Sequence, residues 1–239
     1  MPPLLEVHSL ARRFSRRDAL THVSFRVDPG EIVALLGPNG SGKTTLLRIL
    51  AGALAPSDGI VRVAGHDADR APIALRRSVG YLPDRPGLPP EMRVRDYLLY
   101  RGALKGLRGP RLRAQVRVAL QQCGLVDLAS RRIGALSHGY QRRLGFADAL
   151  LADPDVLLLD EPHSGLDWPA VQILRDWILA IAQTRAVVFS THNLPEAALL
   201  STRALVLSAG RLAGDLPLAS GRTPDGTPLA DAYARLVPA

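Results

Sequence analysis

The chain has 239 residues, a formal charge of +8 and 47% hydrophobic residues, enough for one large domain with a substantial core. Aromatics are only 5%, and the arginines are scattered in pairs such as Arg12-Arg13, Arg76-Arg77 and Arg142-Arg143. No basic run is interleaved with aromatics, so no nucleic-acid partner is expected, while a basic face toward anionic lipid headgroups fits the charge. A single cysteine excludes an intrachain disulfide.

In chain order, Leu4–Leu10 and Val23–Val27 are read as strands. Asp28-Pro29-Gly30 is a turn before a third, Glu31–Leu36. Gly37–Thr45 is a glycine-rich loop, and a helix is read to start at Thr44. Ser57-Asp58-Gly59 predicts a turn before a strand over Ile60–Val63, and Val79–Pro83 another apolar strand. Pro86, Gly87, Pro89 and Pro90 then form a linker-like stretch. From Val94 to Leu150 the pattern is helical, broken near Gly106–Pro110, at Gly124 and at Gly134. Cys123 falls there in helical register with Leu112, Val116, Ala119 and Leu120, the place of a small buried hydrophobe. Val156–Leu159, Val171–Ile181 and Ala186–Phe189 resume strand-helix-strand order. This order predicts a parallel α/β core with a helical insertion. The N-terminus lacks a signal-peptide pattern and no apolar run reaches membrane-spanning length, so a soluble cytoplasmic chain is expected, any membrane span belonging to another chain.

Gly37-Pro38-Asn39-Gly40-Ser41-Gly42-Lys43-Thr44-Thr45 fits the phosphate-loop pattern G-x-x-x-x-G-K-[ST], in the strand-loop-helix setting that the pattern requires. Glycines let the backbone approach phosphate, and successive N–H groups at a helix start face its charge. Lys43 can reach the phosphates and the Thr44 hydroxyl can ligate Mg²⁺. Of the 30 basic side chains only Lys43 and Lys105 are lysines. A compact, flexible ammonium at position 43 suits phosphate cradling. Val156–Asp160 is an apolar strand ending in a carboxylate, placed to hold Mg²⁺ where an α/β sheet binds its ligand. Glu161 follows with the opposite side-chain direction and can reach an attacking water. Ser190-Thr191-His192 ends another strand at the same sheet edge, and His192 can hydrogen-bond a terminal phosphate. The other histidines show no metal-ligand spacing with Cys or carboxylates. Leu136-Ser137-His138-Gly139-Tyr140-Gln141-Arg142-Arg143 combines a capping Ser, a flexible Gly and a helix start. That is a second anion-binding patch, which a second chain could bring to the first chain's phosphate.

These ordered motifs resemble those of the ATP-binding cassette (ABC) ATPases, the nucleotide-binding subunits of transporters, over nearly the whole chain. The resemblance implies a P-loop NTPase (RecA-like) α/β core with an antiparallel β subdomain and a helical insertion subdomain. It implies one domain, with its core near 1–84 and 152–215, helices near 88–151 and a short tail over 216–239. Gly37–Thr45 matches the Walker A loop, Val156–Asp160 the Walker B strand and Glu161 the catalytic carboxylate. Leu136–Tyr140 is similar to the family signature, Ser164–Asp167 to the D-loop (with Asp167), and His192 to the switch histidine. Phe14 stands where the family often stacks an aromatic on adenine. ATP and Mg²⁺ are implied as cofactors. The implied partners are a transmembrane permease and a second nucleotide-binding subunit, the same chain or a related one, at the cytoplasmic face of the membrane. The permease contact is implied near Asp84 and Arg85–Leu104. Arg95–Leu98, the Leu-Ser-x-Gly-Tyr form and Pro228–Tyr233 resemble drug-resistance, sodium-extrusion and gliding-motility exporters.

Two positions depart from the family pattern. Asp84 stands where the Q-loop usually carries Gln, a shorter, charged side chain that can still face Mg²⁺. His138 replaces the first Gly of the signature pair. Two other readings compete: a soluble ABC ATPase of translation or DNA repair, and a regulatory module that binds nucleotide without hydrolysis. The paired cassettes, coiled-coil or zinc insertions of the first are not visible, and Glu161 with His192 argues against the second.

Overall fold

The computed structural model describes residues 2–15 and 17–237. A four-stranded antiparallel sheet has the order β2-β1-β4-β5, with β1 Leu5–Phe14, β2 Arg17–Val27, β4 Asp58–Val63 and β5 His66–Asp67. A six-stranded sheet has the order β10-β9-β3-β8-β7-β6: β3 is Ile32–Leu36, β6 Val79–Leu82, β7 Val156–Asp160, β8 Ala186–Ser190, β9 Arg203–Ser208 and β10 Arg211–Pro217. Its pairs are parallel except β9 with β10. The helices are α1 Lys43–Leu50, α2 Pro72–Ser78, α3 Val94–Leu104, α4 Gly109–Gln122, α5 His138–Leu150, α6 Trp168–Ala182, α7 Leu194–Leu200 and α8 Leu229–Leu236.

Side-chain alternation along the strands builds two cores. Ile32, Ala34 and Leu36 of β3, with Leu157, Leu159, Val187 and Phe189, face the helices. Val33 and Leu35, with Leu158, Val188 and Leu207, face α1 and the antiparallel sheet. The parallel strands are therefore buried on both faces, which explains why they read as unbroken apolar runs. On the helical side, Phe146 of α5 stacks on Trp177 of α6, with ring centroids 5.5 Å apart. Asp148 ties α5 to α3: it accepts from Arg101 Nε at 3.0 Å and Tyr97 Oη at 3.3 Å, and pairs with Lys105 Nζ at 3.1 Å. Burial and the nearby Asp148 carboxylate raise the Tyr97 phenol above its usual range.

The structure extends several expected elements. The strand expected over Val23–Val27 begins at Arg17, because β1 and β2 continue as one hairpin with Phe14 opposite Arg17. The arginines there hide a strand that the ladder imposes. The turn expected at Ser57–Gly59 lies partly inside β4, at an irregularity where β1's register shifts between His8 and Ala11. Helix α4 starts at Gly109, inside the expected break, with Pro110 in its first turn, where a missing N–H costs nothing. Cys123 follows α4 directly and is fully buried. The residues after Pro217 return to the body: Leu229 of α8 joins the helical core and Leu236 packs over Gly214.

Candidate nucleotide site

The glycine-rich loop leaves β3 and wraps into α1. Gly37 has φ +150°, and a Cβ there would lie 2.2 Å from the Leu207 carbonyl oxygen. Gly42, at the N-cap of α1, has φ +109°, a left-handed position that favours glycine. Among the described residues no side chain caps α1, and no acidic residue sits in its first turn, which leaves its first N–H groups to face an anion. The buried Lys43 ammonium donates to the carbonyls of Gly37 (2.7 Å) and Pro38 (3.1 Å). Burial lowers its pKa, partly offset by Glu161 and Asp160.

A cleft of about 390 Å³ opens over this loop. Asn39, Gly40, Gly42, Lys43, Thr44 and Thr45 line its floor, and Asp84, Asp160 and Glu161 its far side. Phe14 stands at the same cleft, 44% exposed, with the Arg12 guanidinium 4.5 Å from its ring centroid. Pro38 is exposed, and Ser41 is buried inside the loop, its hydroxyl unpartnered among the described residues.

The strand ends supply the acidic wall. Asp160 is buried; its Oδ1 accepts from Ser190 Oγ (2.6 Å) and Thr44 Oγ1 (3.3 Å), while Oδ2 is buried without a partner among the described residues. An orphaned carboxylate oxygen beside a threonine hydroxyl is a donor set suited to a hard cation such as Mg²⁺. Glu161 adopts φ +46°, a strained conformation for a side chain of its size. Its N–H donates to Ser190 Oγ at 2.9 Å, and both its carboxylate oxygens lie 3.1 Å from His192 Nδ1. His192 thus reaches the expected edge, but its partner here is Glu161.

The signature lies apart from this cleft. Ser137 caps α5 by accepting from the Tyr140 N–H at 3.5 Å, and Leu136 anchors the segment in the core. His138 is exposed and packs on Gly165, where a Cβ would come within 2.9 Å of its ring; Gly139 faces Leu166. Tyr140 is exposed beneath the Arg143 guanidinium. Asp167 caps α6, accepting from the Ala170 N–H at 3.1 Å.

Two residues escaped the sequence reading. Ser190 had one visible signal, a hydroxyl ending an apolar strand. Arg142 ended the signature stretch but read only as half of a basic pair, yet it is 3% exposed at the foot of the site. Burial lowers its pKa, and Asp84, Asp160 and Glu161 oppose that shift.

Comparison with known proteins agrees with this geometry. The ABC transporter family model matches residues 20–164. A putative ABC transporter ATP-binding protein of Streptomyces avermitilis is 41% identical, over 96% of this chain and 85% of its own length. The Nod factor export ATP-binding protein I of Paraburkholderia xenovorans is 37% identical, over 87% of this chain and 68% of its own. Among solved structures, an ATP-binding subunit of an ABC transporter superimposes with a TM-score of 0.87 at 28% identity, covering 98% of this chain and 99% of that one. The chain belongs to the ABC transporter family and is a nucleotide-binding ATPase subunit of it.

Proposed function

We propose that two nucleotide-binding subunits, this chain with a second copy or a relative, close around two Mg-ATP and so drive export through a separate membrane permease. The observation that carries this is a division of groups. Lys43, Thr44, Asp160 and Glu161 share one cleft, whereas Ser137 and Gly139 do not line it. A second chain facing this one would bring its Ser137 and Gly139 to the terminal phosphate held by Lys43. The export-named relative and the exporter-like motifs support the direction. Among the described residues no helix is long and apolar enough to cross a membrane, consistent with a partner that supplies the spans.

In this reading Lys43 exchanges its loop carbonyls for the β- and γ-phosphates, and the free N–H groups of α1 take the remaining phosphate oxygens. Phe14 stacks on the adenine. Thr44, Asp160 and Asp84, which line the same cleft, would hold Mg²⁺. The ion, when bound, neutralises charge that builds on the phosphate oxygens. Glu161 orients the attacking water, and His192 turns from Glu161 toward the terminal phosphate. Asp167 supports the dimer contact. Catalysis is mainly charge neutralisation and water positioning. The permease docks at a groove of about 610 Å³ that Arg76, Arg77, Tyr97, Arg101 and Lys105 line, next to the Asp84 loop.

The test is Glu161→Gln. ATP should still bind, turnover should nearly vanish and a closed ATP-bound dimer should accumulate. Full activity in that variant would refute the role of Glu161. Pull-down of the same variant from detergent-solubilised membranes should recover a polytopic membrane protein. Ribosomal or DNA-repair proteins instead would favour a soluble ABC ATPase.

A further inference from the structure

Arg142 lies on α5, five residues after Ser137 and so about 7.5 Å along the helix axis. All five of its N–H donors are used. Nε donates to the Pro162 carbonyl at 3.1 Å. Nη1 donates to Pro83 at 2.9 Å and to Asp84, and Nη2 to Asp160 at 2.6 Å and to Glu161. Five donors meet five carbonyls, all at or just beyond the ends of two adjacent parallel strands, β6 and β7. Among the described residues, no carboxylate oxygen bonds to the guanidinium. A cation needed only for charge balance would pair with a carboxylate. This one grips backbone.

That grip fixes Glu161. The peptide plane before its Cα is anchored at both ends: the Asp160 carbonyl accepts from Arg142 and the Glu161 N–H donates to Ser190. The plane after it is anchored through the Glu161 carbonyl. With both planes held, the side chain leaves the Cα in one direction, which is how a residue at φ +46° stays in place. The same guanidinium holds the carbonyl of Asp84 on the neighbouring strand end. Helix α5 in turn lies hard against β6: a Cβ on Gly145 would stand 2.7 Å from Leu82 Cδ1, and one on Gly80 2.5 Å from the Ala149 oxygen.

We propose that Arg142 is a positioning residue for hydrolysis, through which the seating of the signature helix sets where the Glu161 carboxylate stands. The proposal rests on the ATPase reading above. A partner nucleotide that engages Ser137 would move α5, and the five hydrogen bonds would carry that movement to both strand ends.

The test compares wild type with Arg142→Lys and Arg142→Gln. An ammonium has three donors on one atom and cannot span both strand ends. The displaced Glu161 should cost Arg142→Lys about tenfold to a hundredfold in kcat. Affinity for a fluorescent ATP analogue, measured without Mg²⁺, should stay within about twofold of wild type, because Arg142 bonds to none of the phosphate-loop residues. In a Glu161→Gln background the same substitution should lower single-turnover hydrolysis no further, as it acts through Glu161. Wild-type kcat in Arg142→Lys would overturn the proposal. So would an additive loss in the Glu161→Gln background, or a parallel loss of affinity and cooperative melting in both variants, which would make Arg142 a stability residue. An inactive wild type would instead overturn the ATPase reading, and this inference with it.

Discussion

Replacing Ser190 by Ala isolates one hydroxyl that serves two groups. Ser190 is fully buried; its Oγ donates to Asp160 at 2.6 Å and accepts from the Glu161 N–H at 2.9 Å. Removing it takes away a hydrogen bond to a carboxylate, about 1.5–3 kcal/mol, and leaves a part-buried N–H unpaired, about 1–3 kcal/mol. Thr44 still reaches the same Asp160 oxygen at 3.3 Å, so part of the first loss is recovered. The net destabilisation is about 3 kcal/mol. For a chain of this size each kcal/mol lowers the midpoint by about 2–4 °C, so Tm should fall by roughly 6–12 °C. Thermal unfolding followed by circular dichroism without nucleotide measures it, and turnover should fall as well, because Glu161 loses the anchor on its N–H. A drop of under about 3 °C, the effect of one ordinary neutral hydrogen bond, would refute the view that Ser190 holds both residues.

Lys43→Ala should weaken ATP binding by about 30-fold or more, since it removes a buried charge that pairs with phosphate; unchanged affinity in an equilibrium titration would count against the phosphate loop. Gly37→Ala should lower stability by about 1–3 kcal/mol in urea unfolding, because its Cβ meets the Leu207 carbonyl. Burial pushes the Cys123 thiol up to about 12. The unfolded chain releases that proton near its ordinary value, so this group's contribution is intact below about pH 8.5 and declines as pH rises toward 12. At pH 8 a thiol-reactive dye should therefore label native protein only as fast as it opens, and fast labelling would contradict the burial.

The sequence made the centre of the fold legible and its margins less so. Strands β7 and β8 could be read because both faces are buried and each ends in a polar residue, Asp160 or Ser190. The phosphate loop could be read because its glycines and Lys43 have one physical use in that order. The first half of β2 could not, since Arg17 and Asp18 carry no strand signal and only pairing with β1 makes them extended. The short helices α2, α7 and α8 span about two turns each, too few for a periodic pattern to emerge. Arg142 marks the deeper limit. Its burial depends on carbonyls at two strand ends remote from it in the chain, and nothing local distinguishes it from exposed arginines.

The division of basic residues between two lysines and many arginines has a chemical corollary. Both lysines are sheltered: Lys43 by its loop, and Lys105, whose side chain is 18% exposed, by Asp148. Surface charge is carried by guanidinium groups, which resist acylation and keep their proton in strong alkali. Amine-directed electrophiles thus find no decoy ε-amino groups on the outside. An acyl reagent that modifies a lysine of the folded protein reports on the phosphate loop or on the clasp between α3 and α5. Bound nucleotide would shield only the first, giving a footprint of site occupancy with a single internal reference.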